Sequence, residues 1–385
     1  MKVDIVGGGP SGLFLAILLA QHAPNIEIEV LEQNAPDATF GFGVVLADTG
    51  LARLSDAAPE VCADLVKAMK FSTQQTIVSG ETPITVQRPG IGGGAIARLQ
   101  LLSILQDHAA RLGIRVKWSS RVFDIEALDG DIVVGADGIN SLVRASAPGA
   151  FGTTRRDLTN HFAWFGVEKA FACPALIFRR HEGGYFIAHY YPYSERMSTF
   201  VAECDDRTWR EFDLDNASAD ERRALFERVF APELDGHGLA SNNSIWRQFP
   251  VIRNANWFCG NRVLIGDALA SAHFSIGSGT RIAMEDSIAL AQAIASHGSD
   301  VPSALHAYVH SRREAKDRLI GASEASYEWY EQIRDWMDAY TPHEFVYQFM
   351  TRTGRVDAAR LREQYPALMR ELASAGAVPA GEAMQ

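Results

Sequence analysis

The first thirty residues alternate between apolar and polar positions in a way that predicts a strand, a helix and a second strand. Residues 3–6 form a short apolar run, residues 13–22 have the length and composition of a buried helix, and residues 26–32 alternate Ile and Val with Glu. Two strands that are joined through a helix pair in parallel. The pattern therefore predicts a βαβ unit and an α/β fold.

Similar signals recur downstream and are separated by stretches of a different character. A helix is predicted over 99–112, and short apolar strands are predicted at 114–118, 131–134 and 262–265. The intervening stretches are rich in β-branched and aromatic residues, with strands predicted at 184–193 and 197–204. We therefore expect a discontinuous α/β domain in residues 1–69, 96–158 and 255–300, a β-sheet domain in residues 70–95 and 159–254, and a C-terminal helical region in residues 301–385.

Composition narrows the range of partners. The formal charge of -11, from 36 Lys+Arg and 47 Asp+Glu, disfavours binding to nucleic acid or to acidic membranes. The apolar stretch 12–20 is shorter than the ~20 residues that span a bilayer, and it follows a glycine-rich loop, which favours a buried helix over a membrane or signal segment. We expect a cytoplasmic protein that is a monomer or a homodimer.

The cysteines are too few and too far apart for a disulfide framework or a metal site. No pair has CxxC spacing, and a reduced, unpaired set is expected. These cysteines are Cys62, Cys173, Cys204 and Cys259. The sequence predicts no metal site.

The loop of the first βαβ unit has the pattern GxGxxG, in Gly7-Gly8-Gly9-Pro10-Ser11-Gly12. In this pattern Gly7 permits a tight turn, Gly9 lets a diphosphate approach the backbone, and Gly12 lets helix and strand pack closely. The free N–H groups of the helix then bind the diphosphate. Glu32 ends the second strand, where its carboxylate can accept hydrogen bonds from a ribose. The pattern predicts a dinucleotide site but does not separate NAD from FAD.

Two more glycine- and aspartate-bearing turns follow predicted strands. Asp137 lies in Gly135-Ala136-Asp137-Gly138, and Asp267 lies in Gly266-Asp267, which is followed by Gly277-Ser278-Gly279-Thr280. Ligands often bind where strands leave a parallel sheet. The alternative is that each aspartate only caps a turn or a helix. Together with GxGxxG, the two turns indicate a ligand site more specifically than either turn does alone.

In this order and spacing, the three motifs resemble those of the aromatic-ring flavoprotein monooxygenases related to para-hydroxybenzoate hydroxylase, over nearly the whole chain. Residues 41–46, 197–201 and 273–280 are similar to a subgroup that holds salicylyl-CoA hydroxylase, 2-aminobenzoyl-CoA monooxygenase and the tryptophan hydroxylase of violacein synthesis. Residues 327–330 and 351–356 are most similar to the aryl-CoA branch. One difference is that Ala270 and His273-Phe274 stand where many family members have a histidine and two prolines.

The resemblance implies a Rossmann-like domain that binds FAD non-covalently, with NAD(P)H as co-substrate. It implies that the ADP half is held by the first motif and Glu32, the chain or diphosphate by Arg98, and the ribityl or diphosphate region by Asp267. Asp137 belongs to the motif linked to both FAD and NAD(P)H. The implied cofactor residues are Gly7, Gly9, Pro10, Ser11, Gly12, Glu32, Gly43, Arg98, Asp137, Gly266, Asp267, Gly277, Gly279 and Thr280. The last three face the N1–C2=O edge of the flavin.

The resemblance also implies a reaction. NAD(P)H reduces FAD, oxygen adds to give a flavin C4a-hydroperoxide, and one oxygen atom is transferred to an electron-rich aromatic ring in a site that excludes water. Candidate pocket residues are Phe42, Trp164, Tyr191, Trp246 and Phe249, although aromatic residues on strands are often simply part of the core. His273 and His189 are candidates to accept a proton from a phenol or an aniline.

Other functions remain open at this point. A flavin reductase or dehydrogenase would use the same scaffold without inserting oxygen, and a flavin-bound redox sensor would show no substrate-stimulated turnover. A plain NAD dehydrogenase leaves Asp137 and Asp267 without a role. The substrate, whether a CoA thioester or a small aromatic or indolic molecule, the ring position and the choice of NADH or NADPH are not determined by the sequence.

Overall fold

A computed structural model describes residues 1–38, 41–88 and 90–379. Within these ranges the strands are β1 Lys2–Val6, β2 Glu27–Leu31, β3 Gly43–Ala47, β4 Lys70–Ser72, β5 Gln74–Ser79, β6 Thr82–Gln87, β7 Gly93–Ala97, β8 Arg115–Lys117, β9 Ile132–Gly135, β10 Thr153–Val167, β11 Ala175–His181, β12 Gly184–Pro192, β13 Ser198–Cys204, β14 Leu239–Ala240, β15 Arg247–Asn254, β16 Phe258–Cys259 and β17 Arg262–Leu264.

The helices are α1 Pro10–His22, α2 Asp48–Ala57, α3 Pro59–Ala68, α4 Arg98–Arg111, α5 Leu142–Ala145, α6 Pro148–Phe151, α7 Asp206–Glu211, α8 Ala219–Val229, α9 Ala231–Leu234, α10 Gly279–His297, α11 Val301–Glu331, α12 Ile333–Ala339, α13 Pro342–Thr351, α14 Ala358–Gln364 and α15 Pro366–Ser374. Short 3₁₀ turns cover Ile125–Ala127, Gly266–Ala268 and Phe274–Ile276.

The first layer is a sheet with the order β16-β17-β9-β1-β2-β8. Its central strands are parallel, so the predicted βαβ unit is confirmed. Val6 and Leu264 both lie opposite Gly135 in the register of this sheet. Because parallel strands place their carboxyl ends at one edge, the loops after β1, β9 and β17 begin at the same level and lie side by side.

Helix α1 explains the long apolar run near the N-terminus. It packs between the parallel sheet and the helices α4 and α10, and its residues 11–19 are all buried. A helix that is apolar all round is buried on all sides. Among the described residues, no helix combines the length and the apolar character that crossing a membrane requires.

The second layer is a mixed sheet with the order β14-β10-β13-β12-β11-β5-β6, and β15 pairs with β10. Side chains alternate between its two faces. One face carries residues such as Phe165, Ala188 and Phe200 and packs against α7, α8 and α9. The other face carries Phe178 and Ile187 and packs against the end of α11 and the helices after it. The C-terminal region is thus helical, as predicted, and covers part of the sheet.

A small sheet, β3-β7-β4, connects the two layers. The segment 70–95 contributes β5 and β6 to the large mixed sheet, but it contributes β4 and the start of β7 to this small sheet. The segment therefore serves two sheets, and the division into three domains remains a prediction.

Candidate active site

The glycines of the first motif differ in what surrounds them. Gly7 has a φ of +111°, and a Cβ there would lie 2.4 Å from the carbonyl oxygen of Ala136. A Cβ on Gly12 would lie 2.0 Å from the carbonyl oxygen of Gly7, so only glycine fits where helix and strand pack. By contrast, a Cβ on Gly9 would meet no atom of the described residues within 4 Å. Open space therefore lies in front of Gly9, at the N-terminus of α1.

This helix end is suited to an anion. Gly9 is the N-cap of α1 and offers no side-chain hydrogen bond to the first turn, and Pro10 stands at the first helical position. The unpaired N–H groups and the helix dipole favour negative charge in the open space. Ser11 is buried in the first turn behind this space.

Glu32 lies beside the same loop. Its Oε2 accepts a hydrogen bond from the N–H of Gly8 at 2.7 Å, and its Oε1 accepts from the N–H and the side-chain amide of Asn34 at 2.8 and 2.7 Å. A carboxylate has about four acceptor positions, so one remains for a hydroxyl group. The carboxylate is thus held in place at the end of β2, where the sequence predicted a ribose contact.

Asp137 serves in part as the cap that the alternative interpretation predicted. Its Oδ2 accepts hydrogen bonds from the N–H groups of Leu142 and Val143, at 2.6 and 3.3 Å, at the start of α5. Its Oδ1 is buried and has no partner among the described residues. Burial raises the pKa of this carboxyl group, although the Ser141 hydroxyl and the N–H groups of Leu142 and Val143 act against the shift. The free oxygen leaves room for a ligand contact.

Arg98 and Asp267 carry opposite charges but do not form an ion pair. In the described part of the chain, the Arg98 guanidinium has no hydrogen-bond or ion-pair partner, and desolvation lowers its pKa while the charge of Asp267 raises it. Asp267 is exposed to solvent, yet the surrounding protein atoms desolvate its carboxylate and raise its pKa against the effect of Lys316 and Arg98. A group with both acceptors and hydroxyl donors would satisfy both residues.

Helix α10 provides a second free N-terminus. Its N-cap Ser278 makes no capping hydrogen bond, because the Ser278 hydroxyl donates to the carbonyl of Ile276. The N–H groups of the first turn, which includes Gly279 and Thr280, therefore lack a side-chain cap. Gly277, in a left-handed conformation, turns the chain into this helix. Such a helix end stabilises negative charge on a bound group.

A buried ion network, which the sequence interpretation missed, supports the third motif. Asp286 accepts from the N–H of Gly266 at 3.0 Å and from Nε of Arg312 at 2.9 Å, and it also pairs with Lys316. Arg312 also pairs with Glu285 at 2.9 Å. The two adjacent acidic residues in an otherwise apolar stretch of α10 were the sequence signal that could have revealed this network.

Several predicted pocket residues come together on one face of the large sheet. The Phe274 ring is the centre of this group, with ring centroids 5.8 Å from Trp164, 5.5 Å from His189 and 6.3 Å from Phe249. Phe162 lies 4.7 Å from the same ring. Phe162 and Phe274 were not among the predicted pocket residues. The alternation along β10 was the available signal for Phe162.

Phe42 and Tyr191 connect this face to β3. The Tyr191 hydroxyl donates to the carbonyl of Gly43 at 2.9 Å, and the N–H of Gly43 donates to the Thr199 hydroxyl at 2.8 Å. The ring of Phe42 covers Gly166, where a Cβ would lie 2.4 Å from it. Gly43, a predicted cofactor residue, is therefore fixed between the two layers.

Trp246 is not brought to this face. Its ring lies 4.7 Å from Phe226, 5.3 Å from Trp209 and 6.2 Å from Phe165. Phe165 is next to Trp164 in β10 and points to the opposite side of the sheet. Trp246 thus packs under α7 and α8, away from Phe274.

The two candidate histidines differ in their surroundings. His273 is buried, its Nδ1 accepts from the N–H of Ser275 at 3.3 Å, and burial holds the pKa of its imidazole well below the ordinary value. His189 lies on β12 with Nε2 3.4 Å from a carboxylate oxygen of Glu203. The ring of Tyr330 stacks on His189 at 5.4 Å, and its hydroxyl is buried without a partner in the described ranges.

These residues fit FAD. The open space at Gly9 fits a diphosphate, the opposite charges of Arg98 and Asp267 fit the chain between diphosphate and ring, and the free end of α10 fits the polar edge of a flavin. Among the described residues, no group of acidic, histidine or cysteine side chains is arranged to hold a metal ion.

Comparisons with known proteins agree with this geometry. A family model described as an FAD binding domain matches residues 119–323, which is more than half of the chain. Salicyloyl-CoA 5-hydroxylase from a Streptomyces species is 36% identical over 92% of this chain and 70% of its own length. A 3-hydroxy-4-methyl-anthranilyl-[aryl-carrier protein] 5-monooxygenase from Streptosporangium sibiricum is 32% identical over 87% of this chain and 90% of its own length.

Protodeoxyviolaceinate monooxygenase from Chromobacterium violaceum is 31% identical over 91% of this chain and 94% of its own length. Among solved structures, 2-methyl-3-hydroxypyridine-5-carboxylic acid oxygenase matches with a TM-score of 0.74 at 20% identity, over 91% of this chain and 95% of that chain, which supports the fold. The chain belongs to the class A FAD-dependent aromatic monooxygenases, which use oxygen and NAD(P)H to hydroxylate aromatic compounds.

Proposed function

We propose that this monooxygenase hydroxylates a ring that bears a hydroxyl or an amino group and that is presented as a thioester of its carboxyl group. The observation that carries the proposal is the group of rings around Phe274 beside the Tyr330 hydroxyl, which is buried and has no hydrogen-bond partner among the described residues. Buried polar atoms require hydrogen-bond partners. An aromatic ring with a polar substituent supplies both the apolar surface and the hydrogen bonds.

The thioester part rests on two relatives. The names of the Streptomyces and Streptosporangium enzymes specify a hydroxyl- or amino-bearing ring attached to CoA or to an aryl-carrier protein. The Chromobacterium relative, named for protodeoxyviolaceinate, favours a free indolic acid as a second candidate. All three resemble this chain over most of its length, so the choice requires a direct test.

The cofactor assignments of the sequence interpretation belong to this proposal. The loop 7–12 and Glu32 bind the ADP half of FAD, Arg98 and Asp267 bind the diphosphate and ribityl region, and residues 277–280 bind the flavin edge. Asp137 contributes its free oxygen near the same cleft. When bound, FAD supplies the reduction and activation of oxygen, and NAD(P)H supplies the electrons.

The pocket residues orient the ring and exclude water. Phe249, Phe274 and Trp164 pack against an aromatic substrate, and Phe42 and Tyr191 close the side toward β3. Oxygen transfer to a ring is favoured when its hydroxyl or amino group donates electrons, and loss of a proton from that group increases the donation. His273 and His189 are the candidate proton acceptors.

The experiment pairs free aromatic acids with their CoA thioesters. Each pair is offered with a hydroxyl, an amino group or only hydrogen on the ring, with NADH and with NADPH, under labelled oxygen. Stimulated NAD(P)H oxidation with label in the product, for hydroxyl or amino thioesters, supports the proposal. Turnover of the free acids alone overturns the thioester part. Stimulated oxidation of NAD(P)H without label in any product favours a reductase.

A further inference from the structure

His189 and Glu203 form a buried pair on neighbouring strands. His189 lies opposite Val201 in the register of β12 and β13, so Glu203, two residues on, points to the same face. Nε2 of His189 is 3.4 Å from Oε2 of Glu203, whose side chain is only 1% exposed. The other carboxylate oxygen accepts from the Asn160 amide at 2.9 Å. The carboxylate is thus oriented from the opposite side.

This arrangement determines which ring nitrogen is free. A carboxylate next to Nε2 favours the proton on that nitrogen, which leaves Nδ1 as an acceptor. Nδ1 of His189 has no hydrogen-bond partner in the described part of the chain, whereas Nδ1 of His273 is already occupied by the N–H of Ser275. The His189 ring is held by the stacked ring of Tyr330 and the edge of Phe274.

The charges around the pair distinguish His189 from His273. Glu203 on β13 stabilises an imidazolium at His189. The neighbouring groups from the other elements are the neutral hydroxyl of Tyr330 on α11, the imidazole of His273, and Arg352 after α13. The described structure places no carboxylate in an ion pair with His273, and both Arg352 and His189 act against a charge there.

We propose that Glu203 is a positioning residue that holds His189 with Nδ1 ready to accept the proton of the ring hydroxyl. The O–H bond of the substrate breaks, the proton goes to Nδ1, and the electron pair stays on the ring oxygen, where it increases electron density in the ring. The resulting imidazolium lies between Glu203 and the phenolate. This inference rests on the proposed function, since it requires a hydroxyl-bearing substrate.

The test compares Glu203→Gln with the wild-type FAD-loaded enzyme, on the best phenolic substrate and on its methyl ether. The rate of a hydroxylation that needs a general base rises with pH along one limb of its pH profile. In the variant the imidazolium is less stable, so this limb moves to lower pH and the plateau falls by about 100-fold. The methyl ether has no proton to give, so the variant and the wild type hydroxylate it at equal rates.

Two matched variants separate this role from a structural one. Glu203→Asp keeps the charge and recovers part of the lost rate. Its pH limb lies between those of the wild type and of Glu203→Gln. Glu233→Gln makes the same change at a largely buried carboxylate that pairs with Arg179 at 2.7 Å on the opposite face of the sheet, and it leaves the pH limb unchanged. An unmoved limb in Glu203→Gln, or an equal loss on the methyl ether, overturns the proposal. If Glu203→Gln fails to fold, the proposal requires that the pH limb of Glu203→Asp lies at lower pH than that of the wild type.

A measurement without substrate distinguishes this inference from the proposed function. Nitrogen NMR of labelled histidine in the FAD-loaded enzyme reports which ring nitrogen of His189 carries the proton, and this balance is expected to shift from Nε2 toward Nδ1 in Glu203→Gln. If this shift appears but no phenolic compound is hydroxylated, the pair exists and the substrate class is wrong. If phenols are hydroxylated but the shift is absent, Glu203 does not act through His189.

Discussion

The ammonium group of Lys316 and the carboxylate of Asp286 form an ion pair that is almost completely shielded from solvent, behind the Gly266–Asp267 turn. The Asp286 carboxylate also holds the N–H of Gly266 at 3.0 Å. The turn that carries Asp267 toward the proposed cofactor site is therefore fixed to the inner side of α10 and to α11. Removal of one partner leaves a buried charge without compensation.

Asp286→Asn is expected to destabilise the protein by about 3–5 kcal/mol, because Lys316 and Arg312 lose their common counter-ion. It is also expected to weaken FAD binding, because the hydrogen bond to Gly266 changes. Urea unfolding with and without FAD measures both effects. Asp317→Asn, an exposed change on α11, is the control and shifts stability by no more than about 0.5 kcal/mol. If Asp286→Asn unfolded at the same urea midpoint as the wild type, the ion pair would not stabilise the protein as proposed.

Two glycine substitutions separate ligand binding from packing. Gly9→Val places a side chain where no atom of the described part of the chain lies within 4 Å of the Cβ, so we expect a folded protein without FAD. Gly12→Ala puts a Cβ 2.0 Å from the carbonyl oxygen of Gly7, so we expect a loss of stability of about 1–3 kcal/mol or more. Flavin absorbance and thermal unfolding of both proteins provide the test. Stoichiometric flavin in Gly9→Val would remove this loop from the cofactor site.

Asp267→Asn is expected to stabilise the flavin-free protein and to weaken FAD binding. Desolvation raises the pKa of Asp267 in the folded state, so its contribution to stability is present below about pH 3.9 and is lost as pH rises through the raised value. The gain from asparagine therefore appears at pH 7 and disappears in acid. The loss in FAD affinity is about 1–3 kcal/mol. Thermal unfolding at pH 7 and pH 4, together with FAD titration, measures both. A flavin-free variant that is less stable than the wild type at pH 7 would contradict the expectation.

His273→Gln is expected to reduce the acid sensitivity of the enzyme. Burial lowers the pKa of His273, so the folded state keeps this imidazole neutral while the unfolded state takes up a proton below about pH 6.5. The contribution of His273 to stability is thus present above that pH and is lost as pH falls. Between pH 7.5 and pH 5.5, the unfolding free energy of the wild type should fall by more than that of the variant. A constant difference between the two unfolding free energies would show that His273 takes up its proton at the same pH in the folded and unfolded states, so that burial does not lower its pKa.

Phe274→Ala is expected to raise the hydrogen peroxide released per NAD(P)H oxidised, because the ring at the centre of the pocket no longer excludes water. Product formation should fall more than NAD(P)H consumption. Trp246→Phe is the matched aromatic control, since Trp246 packs on the opposite face of the sheet, and it should keep wild-type coupling. Equal coupling in both variants would place the substrate elsewhere.

Local sequence patterns were sufficient to predict most of the first layer. The strands around Val6, Gly135 and Leu264, the helix after Gly9 and the helical C-terminal region were predicted and are confirmed. These features depend on the spacing of residues within one element, and on glycines at positions where a tight turn or a close contact leaves no room for a side chain. The order of the motifs also led to the correct family.

The sequence by itself therefore determined the elements, the family and the type of cofactor chemistry, because these are expressed in short segments. Only the tertiary structure decided which side chains meet. The sequence predicted both Trp246 and Trp164 as pocket residues, yet sheet register and packing place them on opposite faces of the large sheet. The pairing of His189 with Glu203, and the packing of Tyr330 against His189, join residues from different strands and from a helix more than a hundred residues away. Such contacts depend on register and on helix packing, in which a shift of one residue would turn a side chain to the other face.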